Sequence, residues 1–349
     1  MSTQTLSPPA AKTRVLYYDV LNICATLGVV FLHCNGIAHT YSNTPAWYQA
    51  LFVEVFLYWP VPIFFMLSGA TLMGYRKRYT TAEFFKKRFL RTAIPFVVWS
   101  LIVAATKKIN PLEIGVREFI SRIFDTSIEN VYWFFIPLFA AYLAMPALSL
   151  LKDHRRTLWY LAGASFVLTS LLPPLFRYVG LRWNSGLYVP VVGSYLIFVI
   201  LGYLFSTQEL RRWQRIVIYI LGLFGAGLRY GMTILLSVRD GTLNRTFFSY
   251  TEYYSVFLAV AVFVFFKHLK PIRWLQQKPR VSKAIAVLSG CSFGVYLMHK
   301  ILMRYLQGVL PEELLGFEWR LFAPFVIYAA AVLVTFLLKK IPLLKHIVP

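Results

Sequence analysis

His33 lies inside the first long apolar run, residues 17–34, with Asp19 and Asn22 upstream of it. A charged group near the centre of a membrane helix costs at least ~2.5 kcal/mol to insert, so polar groups kept at such depth serve chemistry, ion passage or helix pairing. The three positions are separated by three and eleven residues, which at ~100° per residue puts them near one helical face. A histidine titrating near neutrality suits proton transfer. Asp19 is ~21 Å from His33 at helical rise, so it is expected to serve as a helix-end or packing residue. A second group is basic. Lys87, Arg88 and Arg91 recur at helical spacing before Pro95, after Thr80 and Thr81, either of which caps a helix there. Arg88 and Arg91 share a face, and paired guanidiniums suit bidentate phosphate binding; the same charges also suit topology setting.

The elements that must position these residues are membrane helices. Of 349 residues, 58% are hydrophobic and only 14% charged, where a soluble domain carries about a quarter charged. Apolar segments of roughly spanning length recur at 16–36, 52–73, 92–106, 131–150, 157–174, 188–206, 214–236, 251–267, 285–304 and 321–338. The expected fold is an all-α integral membrane protein, a polytopic bundle of about ten transmembrane helices with both termini cytoplasmic. Residues 1–15 and 339–349 form cytoplasmic tails around a membrane domain at 16–338, and no stretch is long enough for a separate soluble domain.

The net charge of +22 raises the question of a nucleic-acid partner, and its distribution answers it. With residue 1 in the cytoplasm, 24 of the 36 Lys and Arg fall on the inner side and eleven on the outer, with Arg229 inside a helix. That is the positive-inside asymmetry. No basic stripe on one soluble surface exists, so no nucleic-acid partner is expected. The first run has no small-residue cleavage site after it and reads as an uncleaved span. Cys24, Cys34 and Cys291 stand at no metal-ligand spacing and read as core residues. No metal is expected.

The second span carries Pro60 and Pro62 and then residues 64–70, Phe-Phe-Met-Leu-Ser-Gly-Ala, a kinked helix that another backbone approaches closely. Residues 107–124 follow Asn110-Pro111 with apolar positions at helical spacing, an interfacial helix on the outer side. The fourth span opens with aromatics including Trp133, which suit an interface belt or a substrate site. Counting along the spans puts His33, Arg229, Glu252 and His299 all in the outer half of the membrane, with Tyr296 on the same helix as His299. Each alone suits snorkelling or helix pairing; four at one depth point to a shared polar cavity.

Together these segments resemble the acyltransferase-3 family of integral membrane acyltransferases. The resemblance rests on residues 18–22, Tyr-Asp-Val-Leu-Asn, leading to His33; on residues 65–69, Phe-Met-Leu-Ser-Gly; on Arg88 and Arg91 with Pro95; on Trp133-Phe134 with Tyr142 and Pro146; and on residues 292–299, ending in Tyr296 and His299. One position departs, because the family usually has Arg where this chain has Asn22. The resemblance implies transfer of an acyl group, most often acetyl, from cytoplasmic acyl-CoA to a hydroxyl of a cell-surface glycan or lipid-linked sugar, in the cell membrane. With that chemistry, the residues themselves suggest His33 as base, Glu252 or His299 orienting it, donor phosphates on Arg88 and Arg91 with Lys87 helping, and a cavity lined by Asn22, Trp133, Arg229 and Tyr296. Acyl-CoA is then the donor substrate, the bilayer the surroundings, and a homo-oligomer is left open. A transporter or flippase of a glycan or lipid-linked precursor would use similar buried groups.

Overall fold

At membrane depth each backbone N–H and C=O must find its partner within the protein, so apolar runs of spanning length fold as helices. The computed structural model describes residues 14–189 and 192–349, and among them there are helices and turns but no strand. In chain order the helices are α1 (Leu16–Cys34), α2 (Pro45–Phe56), α3 (Pro60–Leu72), α4 (Thr81–Arg88), α5 (Ile94–Thr106), α6 (Val116–Phe124), α7 (Phe135–Leu150) and α8 (Arg155–Ser165). There follow α9 (Leu172–Tyr178), α10 (Leu196–Thr207), α11 (Arg212–Asp240), α12 (Tyr253–His268), α13 (Lys270–Gln276), α14 (Pro279–Val309) and α15 (Phe317–Lys340).

Among the described residues eight helical stretches are long and apolar enough to cross a membrane, α2–α3, α4–α5 and α8–α9 each counting as one. The pair α12 and α13, bent by 47°, makes a ninth when taken together. The sixth apolar segment of the sequence is α10, with only 12 helical residues. At 1.5 Å per residue it is ~18 Å long, short of the ~30 Å hydrocarbon core. It is buried over most of its length. Thus the ten segments read from the sequence appear as eight long helices, one bent pair and one short buried helix.

Glycines set the closest crossings. A Cβ on Gly69 of α3 would stand 1.9 Å from the Val199 carbonyl oxygen, and one on Gly202 of α10 would stand 2.0 Å from that of Met66. The backbones of α3 and α10 therefore touch, as the Ser68-Gly69-Ala70 stretch led one to expect. Gly222 and Gly225 of α11 do the same against α12. α1 packs on α3, α14 and α15.

Thr80 caps α4 through a capping box: its hydroxyl accepts from the Glu83 N–H and its own N–H donates to the Glu83 carboxylate. Between α4 and α5 the chain widens into one π-helical turn, Phe89–Ala93. The segment 111–124 is not one helix. Gly115, at φ +85°, divides it into Pro111–Ile114 and α6. In α6, Phe119 and Ile123 face the protein while Val116, Ile120 and Phe124 are exposed, the pattern of an interfacial helix. At the far end, Trp99 Nε1 donates to the Ile347 carbonyl at 2.8 Å and Val348 is buried, so the last residues pack against the bundle.

Candidate functional site

α1 brings His33 alongside α14, where the imidazole stacks on that of His299 with ring centres 5.1 Å apart and planes at 26°. His299 is fixed in one tautomer. Its Nδ1 lies 2.7 Å from the Tyr296 carbonyl and 3.2 Å from that of Val295. Carbonyls only accept, so Nδ1 holds the proton and Nε2 presents a lone pair. That Nε2 is buried with no hydrogen-bond partner among the described residues. Two further bonds hold α14 against the start of the fourth long helix: Tyr132 Oη donates to the Leu297 carbonyl at 2.7 Å and Tyr296 Oη donates to that of Val131.

His33 opens onto a cavity of ≈160 Å³, lined also by Trp133, Tyr58, Tyr250, His39 and Glu54. Partial desolvation, then Arg245 and Arg229, holds the half-exposed His39 imidazole below its usual range. Tyr58 and Tyr250 stack in parallel at 3.9 Å, and Trp133 lies on Tyr250 at 5.7 Å. Arg229 is buried behind this wall, with its guanidinium 3.5 Å over the Tyr58 ring and its Nε donating to the Phe247 carbonyl at 2.7 Å. Its two terminal nitrogens have no partner among the described residues.

A larger cavity of ≈440 Å³ lies along the other half of α1, lined by Asp19, Asn22 and Thr26 and, across from them, by Arg88 and Arg91. The wide turn begins just after Arg88 and contains Arg91, and both still reach the same space. Arg88 rests on Phe84 and Tyr142, at 5.8 and 5.6 Å, with its Nε buried and without a partner among the described residues. Asn22 Nδ2 donates to the backbone carbonyl and the hydroxyl of Ser289, each at 3.1 Å. The amide therefore pins α1 to α14. Asp19 accepts two bonds from Arg14, at 2.6 and 2.7 Å, which accounts for it as a helix-end residue.

The two cavities meet at three aromatic rings, Phe64, Phe134 and Tyr296, which line both. Phe134 makes edge-on contacts at 5.7 Å with each of the other two. Along α1 and α14 the chain passes from the arginine cavity to the histidine cavity; along α3 and the 130–150 segment it passes back. The pairing expected of Asn22 with His33 on one stripe is thus divided, each residue serving its own cavity.

Other expected members stand apart. Glu252 is bound by Arg177 at 2.9 Å and does not line the histidine cavity. Of the four residues expected at one depth, His33 and His299 touch, Arg229 stands one ring behind, and Glu252 is held elsewhere. Lys87 lies 3.9 Å over the Tyr79 ring and does not line the arginine cavity. Glu54 and His39 were passed over in the sequence. Glu54 had the same signal as His33, an ionisable residue in an apolar run, Leu-Phe-Val-Glu-Val-Phe at 51–56.

A family model described as an acyltransferase domain matches residues 15–339, nearly the whole chain. No curated protein matches the chain, and no solved structure does.

Proposed function

The chain belongs to this family of membrane acyltransferases, and from that premise we propose that it moves an acyl group, acetyl by preference, from acyl-CoA to a hydroxyl of a cell-surface glycan or its lipid-linked precursor. The observation that supports this reading is the pair of cavities meeting at Phe64, Phe134 and Tyr296, one holding Arg88 and Arg91 and the other His33. In this account the donor phosphates dock on the two guanidiniums, whose fork geometry suits them. The thin pantetheine arm passes the three rings, and its thioester meets the acceptor beside His33. His33 takes the hydroxyl proton as the oxygen attacks the thioester carbonyl. The C–S bond breaks, and the proton goes to the departing sulfur, giving an ester and free CoA. His299, with its lone pair beside His33, orients the imidazole or shares the proton.

The bias of 24 inner to eleven outer Lys and Arg, counted with the N-terminus inside, supports a cytoplasmic arginine cavity. This topology has ten crossings, with α10 and the bent α12–α13 pair as two of them, and both termini inside. The opposed courses of α1 and α14 against α3 and α7 support that alternation. The protein then sits in the cell membrane with its donor site facing acyl-CoA.

The donor half is tested by binding. Purified protein should bind acetyl-CoA, and Arg88→Ala with Arg91→Ala should weaken it at least tenfold, about the value of one charged hydrogen bond. The salt dependence of binding should also fall. Unchanged affinity would remove the arginines from the donor site.

A further inference from the structure

Four carboxylates are buried among the described residues: Asp19, Glu54, Glu129 and Glu252. Three have an arginine in hydrogen-bond contact, Arg14 on Asp19 at 2.6 Å, Arg304 on Glu129 at 2.6 Å and Arg177 on Glu252 at 2.9 Å. Glu54 is the exception. It is 3% exposed, its Oε2 has no hydrogen-bond partner among the described residues, and its nearest basic atom is His39 Nε2 at 4.0 Å. A buried carboxylate without a partner is expensive, and a purely structural one is paired. Glu54 instead lines the same small cavity as His33.

We propose that Glu54 binds the acceptor, taking a hydrogen bond from a second hydroxyl next to the one that is acylated. This rests on the acyl-transfer reading and narrows its acceptor. A carboxyl oxygen accepts from O–H or N–H groups whether or not the group is ionised, so it suits a hydroxyl of the acceptor. The cavity, at ≈160 Å³, is smaller than the usual ligand pocket of about 300–1,000 Å³. It admits one end of an acceptor rather than a length of chain. The acceptor group is therefore polyhydroxylic, a sugar ring presenting neighbouring hydroxyls, with the rest of the molecule lying outside.

The test compares wild type with Glu54→Gln and Glu54→Ala, using labelled acetyl-CoA and a solubilised cell-envelope glycan fraction as acceptor. The expected result is a rise of at least tenfold in the half-saturating amount of glycan, with the half-saturating acetyl-CoA unchanged. Unchanged glycan dependence overturns the proposal, and so does a fall in turnover with the glycan dependence unchanged. Should both variants misfold, wild-type protein is treated with dicyclohexylcarbodiimide, and labelling of Glu54 is read by peptide mass spectrometry. Protection of Glu54 by the glycan fraction is then expected, and equal labelling with and without it overturns the proposal. No label transfer by wild-type protein, with Glu54 still protected, would instead overturn the acyltransferase reading and leave Glu54 as a glycan contact.

Discussion

At the scale of single residues the account rests on two kinds of polar group, those that are satisfied and those left waiting. Asn22, at the position where the family usually has Arg, spends its amide on Ser289 and so works as a helix tie. The His299 Nε2, the Glu54 Oε2 and the Arg88 Nε all lack partners among the described residues, and His299 touches His33 while the other two line the cavities. Replacing His299 by Ala should lower turnover while leaving acetyl-CoA affinity unchanged, read by equilibrium binding beside steady-state rates. A loss of both together would make His299 a structural residue only. His39 makes a separate prediction for stability. Partial desolvation and the nearby Arg245 and Arg229 favour the neutral ring, so below about pH 6.5 the unfolded chain binds a proton more readily than the folded one. Melting temperature should therefore decline as pH falls through that value, and His39→Ala should reduce the slope. An unchanged slope would assign the decline to other groups.

At the same scale, the sequence tells which helices carry the polar groups but not their azimuth. Counting residues at 1.5 Å each places His33, Arg229, Glu252 and His299 near one level, but only packing tells which face of which helix looks where. Glu252 turned out to face Arg177. Arg88 and Arg91 were legible because two cations three residues apart keep a common side even through the wide turn. Glu54 was missed although it had the signal that singled out His33, because it stands at the beginning of its apolar run, where an acid reads as an interfacial residue.

At the scale of elements, the site depends on α3, which lines both cavities and is wedged against α10. The length of α10 could not be read from hydropathy, since a short helix buried in protein and a longer one facing lipid are equally apolar. The glycines that let it approach were legible only on one side, in the Ser68-Gly69-Ala70 stretch. Gly69→Ala puts a methyl group 1.9 Å from a backbone oxygen, which no side-chain motion relieves. The expected cost is about 1–3 kcal/mol or more, seen as a lower melting temperature and reduced yield. Gly163→Ala, where a Cβ meets nothing within 4 Å, serves as the control and should be neutral or slightly stabilising. Equal behaviour of the two variants would contradict the close crossing.

At the scale of the whole molecule, the claim is that one cavity faces the cytoplasm, the other faces outward, and three aromatic rings stand between. The charge asymmetry is the ground for the proposed orientation, and that orientation makes a prediction that needs no substrate. With Cys24, Cys34 and Cys291 replaced, a cysteine at exposed Ser127 should react with an impermeant thiol reagent added to intact cells, and one at exposed His154 only after the membrane is opened. The reverse pattern would put the arginine cavity outside, away from acyl-CoA. Composition made the membrane class legible along the whole chain, and the motifs from Asp19 to His299 the family; the division into two chambers was not, because it arises where four helices from distant parts of the sequence meet. The most direct test of the central claim is transfer of labelled acetyl from acetyl-CoA to the envelope glycan fraction by purified wild-type protein and by His33→Ala. The account predicts label in the glycan with wild type and a loss of about 10²–10⁴-fold with the variant, the usual range for a general base, while acetyl-CoA binding persists. Label transferred equally well by His33→Ala would contradict it.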